Sequence, residues 1–348
     1  MRIIVRNKLI YTTISTLNVA TIHHKHHPIN KFNIAQCTRI HRQFTTQTLS
    51  SSTVKIPDRI KSMNISAIKS NNKTNRFYMH VNVISTNNIA HLPHSFIEDV
   101  PCDQYAIMLD SHFLTTPNNR LFTVPTEQLA TLIAIEWDLQ THRINIDIMP
   151  ITHICMIAND QAIEQQFIQH FNNYIKFDSI CIRALTPTPL VRLQHKLFDP
   201  LIDRMNKQHN IQLNVSHGIM TPNQSDLVYA RVHSLLHGQS PLALACIDSI
   251  AAVSKSFVIG WMMYTRQLSI DQAYKAARLD EDYQIGQYGM IDGAFGHAVE
   301  MTYVKMRIAA TQSILNTANI IPNINQQTNV KIQPQIDLSG DAVQSTAL

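Results

Sequence analysis

Val124-Pro125-Thr126-Glu127-Gln128-Leu129-Ala130-Thr131-Leu132-Ile133-Ala134-Ile135-Glu136-Trp137-Asp138 joins the end of an extended run to the start of a helix. Thr126 is placed as N-cap, because a hydroxyl there can accept from the unpaired amides of the first turn. Leu129, Ile133 and Trp137 follow at i, i+4 and i+8 and share one face. The spacing predicts a helix packed on a sheet, with Trp137 buried between the two layers. Glu136, Trp137 and Asp138 are therefore read as structural residues.

Upstream the texture is extended. Phe77, Met79, Val81 and Val83 alternate with Tyr78, His80 and Asn82, the period of a half-buried strand, so order is expected to begin near Arg76. Tyr105 to Leu109, Phe113 to Thr115 and Leu121 to Val124 are short β-type runs separated by Asp110, Pro117, Asn118 and Asn119, which suit turns. An antiparallel sheet is the expected result.

Downstream a helix is expected over Gln161 to Ile175, with Ile163, Phe167, Phe171 and Tyr174 as its stripe, then a strand over Ser179 to Arg183. Past Pro187 the chain turns helical. Leu190, Leu193, Leu197, Leu201 and Met205 keep one stripe through a bend at Pro200, and Ile211 to Val215 interrupts it as an extended run. Further helices are expected near Gln224 to His237, Leu242 to Tyr264, Ile270 to Tyr283 with Ser269 as N-cap, and Ala294 to Leu315. Beyond Asn316 the Asn, Gln, Pro and Ser content rises and the amphipathic pattern stops, the composition of a disordered tail.

The 348 residues carry a formal net charge of +5, and its location matters more than its size. Met1 to Asn75 holds 12 of the 29 Lys and Arg but only one acid, Asp58, so the remainder is mildly acidic. A nucleic-acid surface needs clustered cations on a folded face, and the remainder offers none. A long acid-free stretch rich in Arg, Lys, Ser, Thr and His has the composition of a mitochondrial transit peptide, and Arg42-Gln43-Phe44-Thr45 looks like a matrix-peptidase site. Cys102, Cys155, Cys181 and Cys246 are far apart with no Cys-x-x-Cys pair, as suits free thiols in a reducing compartment. Asp248 and Lys255 interrupt the most apolar region, so membrane insertion is not expected.

Catalytic and cofactor signatures are sparse. No glycine precedes Gly218, which excludes a glycine-rich phosphate cradle in the first half of the chain, and no cofactor is expected. His233 and His237 have the i, i+4 spacing of zinc ligands, but Ser234 stands where a metalloprotease has Glu, so no metal is assigned. The most charged stretch, Asp280-Glu281-Asp282, is expected at the end of a helix. Negative charge there opposes the dipole and suggests a cationic partner. A hydrolase using Asp280, Glu281 and Asp282 as acid and base is the alternative, though no nucleophile accompanies them.

Taken in order, these residues resemble the assembly factor 2 family, chaperones of the mitochondrial F(1) ATPase. The resemblance runs from about Arg76 to Leu315. It rests on Arg76-Phe77-Tyr78, Leu109-Asp110, Leu114-Thr115-Thr116-Pro117, Val124-Pro125-Thr126, Glu136-Trp137-Asp138 with Gln140, Asp178, Arg183, Gln194, Asp199-Pro200, Gly218-Ile219-Met220 and Leu279 to Ile285. Ser111-His112 replaces Gly-Arg in the hairpin, Phe198 and Tyr288 stand where Trp is usual, and Asp280 and Asp282 replace Glu.

The resemblance implies an α+β fold: a leader over residues 1–75, an N-terminal domain with antiparallel sheet and helices over 76–185, an all-helical domain over 186–315, and a tail over 316–348. It also implies a matrix chaperone, not an enzyme, monomeric when free, that binds the unassembled α subunit of the F(1) ATPase and keeps it from aggregating. Glu281, flanked by Asp280 and Asp282, is the expected client contact. Another matrix protein-binding module is the other reading kept.

Overall fold

The computed structural model describes residues 61–65, 74–89, 102–159, 163–293, 296–320 and 322. These fall within one compact unit, Asp58–Leu348. The expectations for the transit peptide, its peptidase site and most of the tail lie outside the described residues.

Among the described residues, five strands form the main sheet: β1 (Lys61–Asn64), β2 (Val81–Ser85), β3 (Tyr105–Leu109), β4 (His112–Thr115) and β5 (Thr123–Val124). β3 pairs antiparallel with β2, β4 and β5, while β1 runs parallel to β4 at the edge. Two expectations change here. Ordered structure begins before Arg76, since β1 lies inside the stretch read as leader, and the sheet carries one parallel strand among antiparallel neighbours. The Arg76–His80 segment also faces the other way: Tyr78 is buried, whereas Phe77 and Met79 are exposed. Tyr78 is drawn in because its hydroxyl donates to the Trp137 carbonyl at 2.7 Å and its ring meets the indole edge-on.

Helix α1 (Glu127–Asp138) starts as the sequence requires, with the Thr126 hydroxyl accepting from the Leu129 amide. Leu129, Ile133 and Trp137 are fully buried against the sheet. Helix α2 (Pro150–Asn159) has no counterpart in the sequence reading; the Glu136 carboxylate accepts from the amides of Ile151 and Thr152 at its first turn. Helix α3 (Ile163–Lys176) buries Phe167 and Phe171. The expected strand over Ser179 to Arg183 is instead a 3-10 turn, Ser179–Cys181, followed by the short strand β6 (Ile182–Arg183). β6 pairs in parallel with β7 (Ser216–His217), just past the run expected to be extended.

The rest is helical: α4 (Thr188–His209), α5 (Asp226–Leu236), α6 (Pro241–Ser254), α7 (Phe257–Tyr264), α8 (Ile270–Ala277), α9 (Leu279–Tyr288) and α10 (His297–Thr317). α4 continues through Pro200 and buries Leu190, Gln194, Phe198, Leu201 and Met205, while Leu193 and Leu197 are half-buried beside that stripe. The Leu242 to Tyr264 helix is two helices. Lys255 adopts a left-handed conformation (φ 56°) between α6 and α7, and Ser256 caps α7. α6 is apolar nearly all round and occupies the centre, packed on α2, α3, α7 and α10. One continuous core runs from Ile107 and Leu114 of the sheet through Ile133 and Ile247 to Ile308.

Candidate functional site

The helix expected over Ile270 to Tyr283 is also broken. Ser269 and Gln272 form a capping box at the start of α8, but Arg278 ends that helix and α9 begins at Leu279. Asp280, Glu281 and Asp282 therefore occupy a first turn, where the dipole favours carboxylates. Their position within the helix therefore does not by itself call for a cationic partner.

Each acid has a partner on a different part of the chain. Asp280 accepts from the Gln194 side-chain amide at 2.8 Å. Glu281 pairs with Lys255 at 3.1 Å, an exposed cation facing a one-third exposed acid. Asp282 takes Arg278 at 3.1 Å, and the buried guanidinium also reaches Glu300 at 3.5 Å. Burial lifts the Asp280 pKa, and the Gln194 hydrogen bond opposes that shift. α9 itself buries none of its residues, so these polar contacts anchor its first turn.

Gln194 connects this turn to a second group. Its carbonyl oxygen accepts from the Ala184 amide at 2.8 Å. Arg183, almost fully buried, donates to the Gln194 main-chain carbonyl and to Asp199, both at 2.8 Å, and lies over the Phe198 ring. Burial lowers the Arg183 pKa, with Asp199 working against it.

The residues that follow Arg183 and His217 on the paired strands β6 and β7 point outward. Leu185 is 69% exposed, Ile219 fully exposed and Met220 71% exposed. Gly218 makes their approach possible: its φ is +73°, and a Cβ there would lie 3.2 Å from the Leu185 side chain. An apolar patch thus stands on the Arg183–Gln194–Asp280 network. Tyr288, Met290 and Ile291 form more exposed apolar surface where α9 ends.

The other singled-out residues lie elsewhere. Trp137 is fully buried, Asp138 pairs with Arg76 at 3.2 Å, and Glu136 is half-buried between α1 and α2. His233 is bonded to Asn172 at 2.8 Å, and with His237 it lines a groove of about 390 Å³ walled by Phe167, Phe171 and Leu244. Among the described residues no three His, Cys, Asp or Glu side chains form a metal-binding group, and no helix is long and apolar enough to cross a membrane.

The sequence reading noted Arg183 and Gln194 only as parts of an ordered resemblance. A local signal for Gln194 existed: it sits at i+4 from Leu190 and i−4 from Phe198, a polar residue on an apolar stripe.

Residues 75–206 match the family described as ATP12 chaperone protein. Protein atp12, mitochondrial, of Schizosaccharomyces pombe is 24% identical over 227 residues, covering 59% of this chain and 75% of that one. Over residues 75–206 the chain is similar to the ATP12 chaperones. The Saccharomyces cerevisiae Protein ATP12, mitochondrial, is 22% identical and covers 62% of this chain and 79% of its own. Among solved structures, the Atu1473 protein of Agrobacterium tumefaciens superposes with a TM-score of 0.56 at 25% identity, over 70% of this chain and 85% of that one. Atp12 of Paracoccus denitrificans, with a TM-score of 0.54 at 23% identity, covers 71% of this chain and 98% of its own and has a similar fold.

Proposed function

We propose that this protein is a mitochondrial matrix chaperone for assembly of the F(1) sector of ATP synthase, that it holds the unassembled α subunit, and that it works by binding without catalysing a reaction. The observation that carries this reading is the outward Leu185–Ile219–Met220 patch on a chain whose residues 75–206 match a chaperone family. Exposed apolar surface of that kind matches a client that must be shielded until its own apolar interface is covered. The fungal relatives' mitochondrial names and the acid-poor leader support the location.

Within the acidic turn, Glu281 is the favoured client contact. Asp280 and Asp282 are held by the buried side chains of Gln194 and Arg278, whereas Glu281 faces the exposed Lys255, whose place a client cation can take. A surface pair of this kind is worth about 0–1 kcal/mol, so exchange costs little.

The test is suppression of α-subunit aggregation by purified protein, with capture of unassembled α subunit from matrix extract alongside. Ile219→Asp is expected to melt as the wild type does and to protect poorly. Glu281→Lys should lose more protection than Glu281→Gln, because reversal adds repulsion to a lost contact. Wild-type protein that neither captures nor protects the α subunit refutes the client assignment. Full protection by both Ile219→Asp and Glu281→Lys refutes the proposed surface.

A further inference from the structure

We infer that the end of α9, Met290 and Ile291 after it, and the outer face of α10 form a second docking surface, and that it takes an apolar segment of the client edged with Lys or Arg. This deepens the client reading above and rests on it.

The surface is apolar and open. Tyr288, the last residue of α9, is 89% exposed, and Ile291 is 64% exposed. Gly289 ends α9 with φ at +86°, a conformation that takes the chain off the helix axis. Two hydrogen bonds then clip Ile291 to the start of α10: its amide donates to the His297 ring at 3.1 Å, and its carbonyl accepts from the His297 amide at 3.1 Å. Gly296 permits this approach, since a Cβ there would lie 2.4 Å from the Ile291 carbonyl oxygen. Ile291 is thereby held beside the helix that carries Val299 and Tyr303, both exposed and one turn apart on the same face. α10 is seated in the core by Val304, Ile308 and Ile314, so Val299 and Tyr303 are free to meet a partner. Large apolar side chains gathered in the open mark a protein contact.

The border is acidic. From Leu279 to Glu300 the chain carries Asp280, Glu281, Asp282, Asp292 and Glu300 and no Lys or Arg. Lys255 pairs with Glu281, and Arg278 with Asp282 and Glu300, while Lys305 is turned to the Tyr274 ring 4.7 Å away. Asp280 is held by a neutral amide, and Asp292 is exposed with no ion-pair partner among the described residues. The negative charge left over favours a partner that brings cations and disfavours a second copy of the same face. α9 joins the two surfaces. Asp280 in its first turn is bonded to Gln194 beneath the Leu185–Ile219–Met220 patch, and Tyr288 stands about 12 Å further along the helix, within reach of the same client.

The experiment places the photocrosslinker p-benzoylphenylalanine in the full chain at Tyr303, and separately at Ile219, and illuminates each protein with purified unassembled α subunit. The expected result is an α-subunit adduct from both positions, with the peptide joined to position 303 apolar and flanked by Lys or Arg. An adduct from position 219 alone, or a 303 adduct on an acidic segment or on a second copy of this chain, overturns this surface and leaves the client reading standing. No adduct from either position, together with no protection of the α subunit by the wild type, overturns both. The double variant Val299→Asp, Tyr303→Asp is expected to melt as the wild type does and to bind the α subunit about tenfold more weakly. Asp292→Lys is expected to weaken binding at low salt, with the difference fading at high salt. Wild-type affinity in both variants overturns the inference.

Discussion

Glu136→Gln separates a carboxylate that caps a helix from one that is merely buried. The wild-type carboxylate accepts from the Ile151 amide at 2.8 Å and from the Thr152 amide and hydroxyl, both at 2.7 Å, and so ties α1 to the first turn of α2. Burial nevertheless raises its pKa from 4.5 to about 7, outweighing the three hydrogen bonds that favour the charged form. Because the folded pKa lies above the unfolded one, the native state binds the proton more tightly. Its contribution is best below about pH 4.5 and falls as pH rises towards 7. One pKa unit is about 1.4 kcal/mol, so the gap implies a loss of about 2.5 kcal/mol between pH 5 and pH 8.

Gln cannot titrate, and its amide nitrogen faces donors, which costs about 1–3 kcal/mol for an unsatisfied buried group at every pH. Thermal melts across pH 5 to 8 should therefore show the wild type losing its advantage as pH rises. The Tm difference between the two proteins should shrink by about 5–10 °C. Parallel profiles would refute the reasoning, since they would mean that the hydrogen bonds keep Glu136 ionised throughout.

Trp137→Arg should unfold the sheet and α1 together, because it puts an unpaired charge at a fully buried site; a circular dichroism melt with unchanged Tm would contradict that. Ser256→Ala removes the hydroxyl that caps α7 and also supports buried Asp178, and should cost about 1–2 kcal/mol in urea unfolding at constant m. Gln194→Leu keeps the volume but deprives the Ala184 amide and Asp280 of their partner. Amide exchange should then quicken in β6 and the first turn of α9, with α1 unaffected. Acidification should charge His209, whose pKa burial holds down to about 4 and whose ring nitrogen accepts from Trp261 at 3.0 Å. With the folded pKa depressed, this group's contribution is lost as pH falls from about 6.5 towards 4, and His209→Gln should flatten that acid limb.

The sequence by itself determined the elements whose signals are local. β3, α1 with its Thr126 cap, the N-cap at Ser269, and the buried stripe of Leu129, Ile133 and Trp137 all follow from residues a few positions apart. Tertiary structure decided where several other elements begin and end, because the groups that finish them come from far along the chain. The Ser179 amide and hydroxyl donate to the carbonyls of Lys255 and Ser254 and help fix the break between α6 and α7. A buried Arg278 held by Asp282 and Glu300 sits at the break that turns an expected helix end into a helix start, and Glu136 caps an α2 that no neighbouring residue announces. β1 has no alternating apolar pattern and is defined by the strand it meets near residue 112. The exposed patch was equally hidden: Leu185 and Ile219 are unremarkable singly, and only the parallel pairing of β6 with β7 sets them side by side. Local backbone chemistry is written in neighbouring residues, whereas hydrogen bonds and surfaces made by distant segments exist only once the chain has closed on itself.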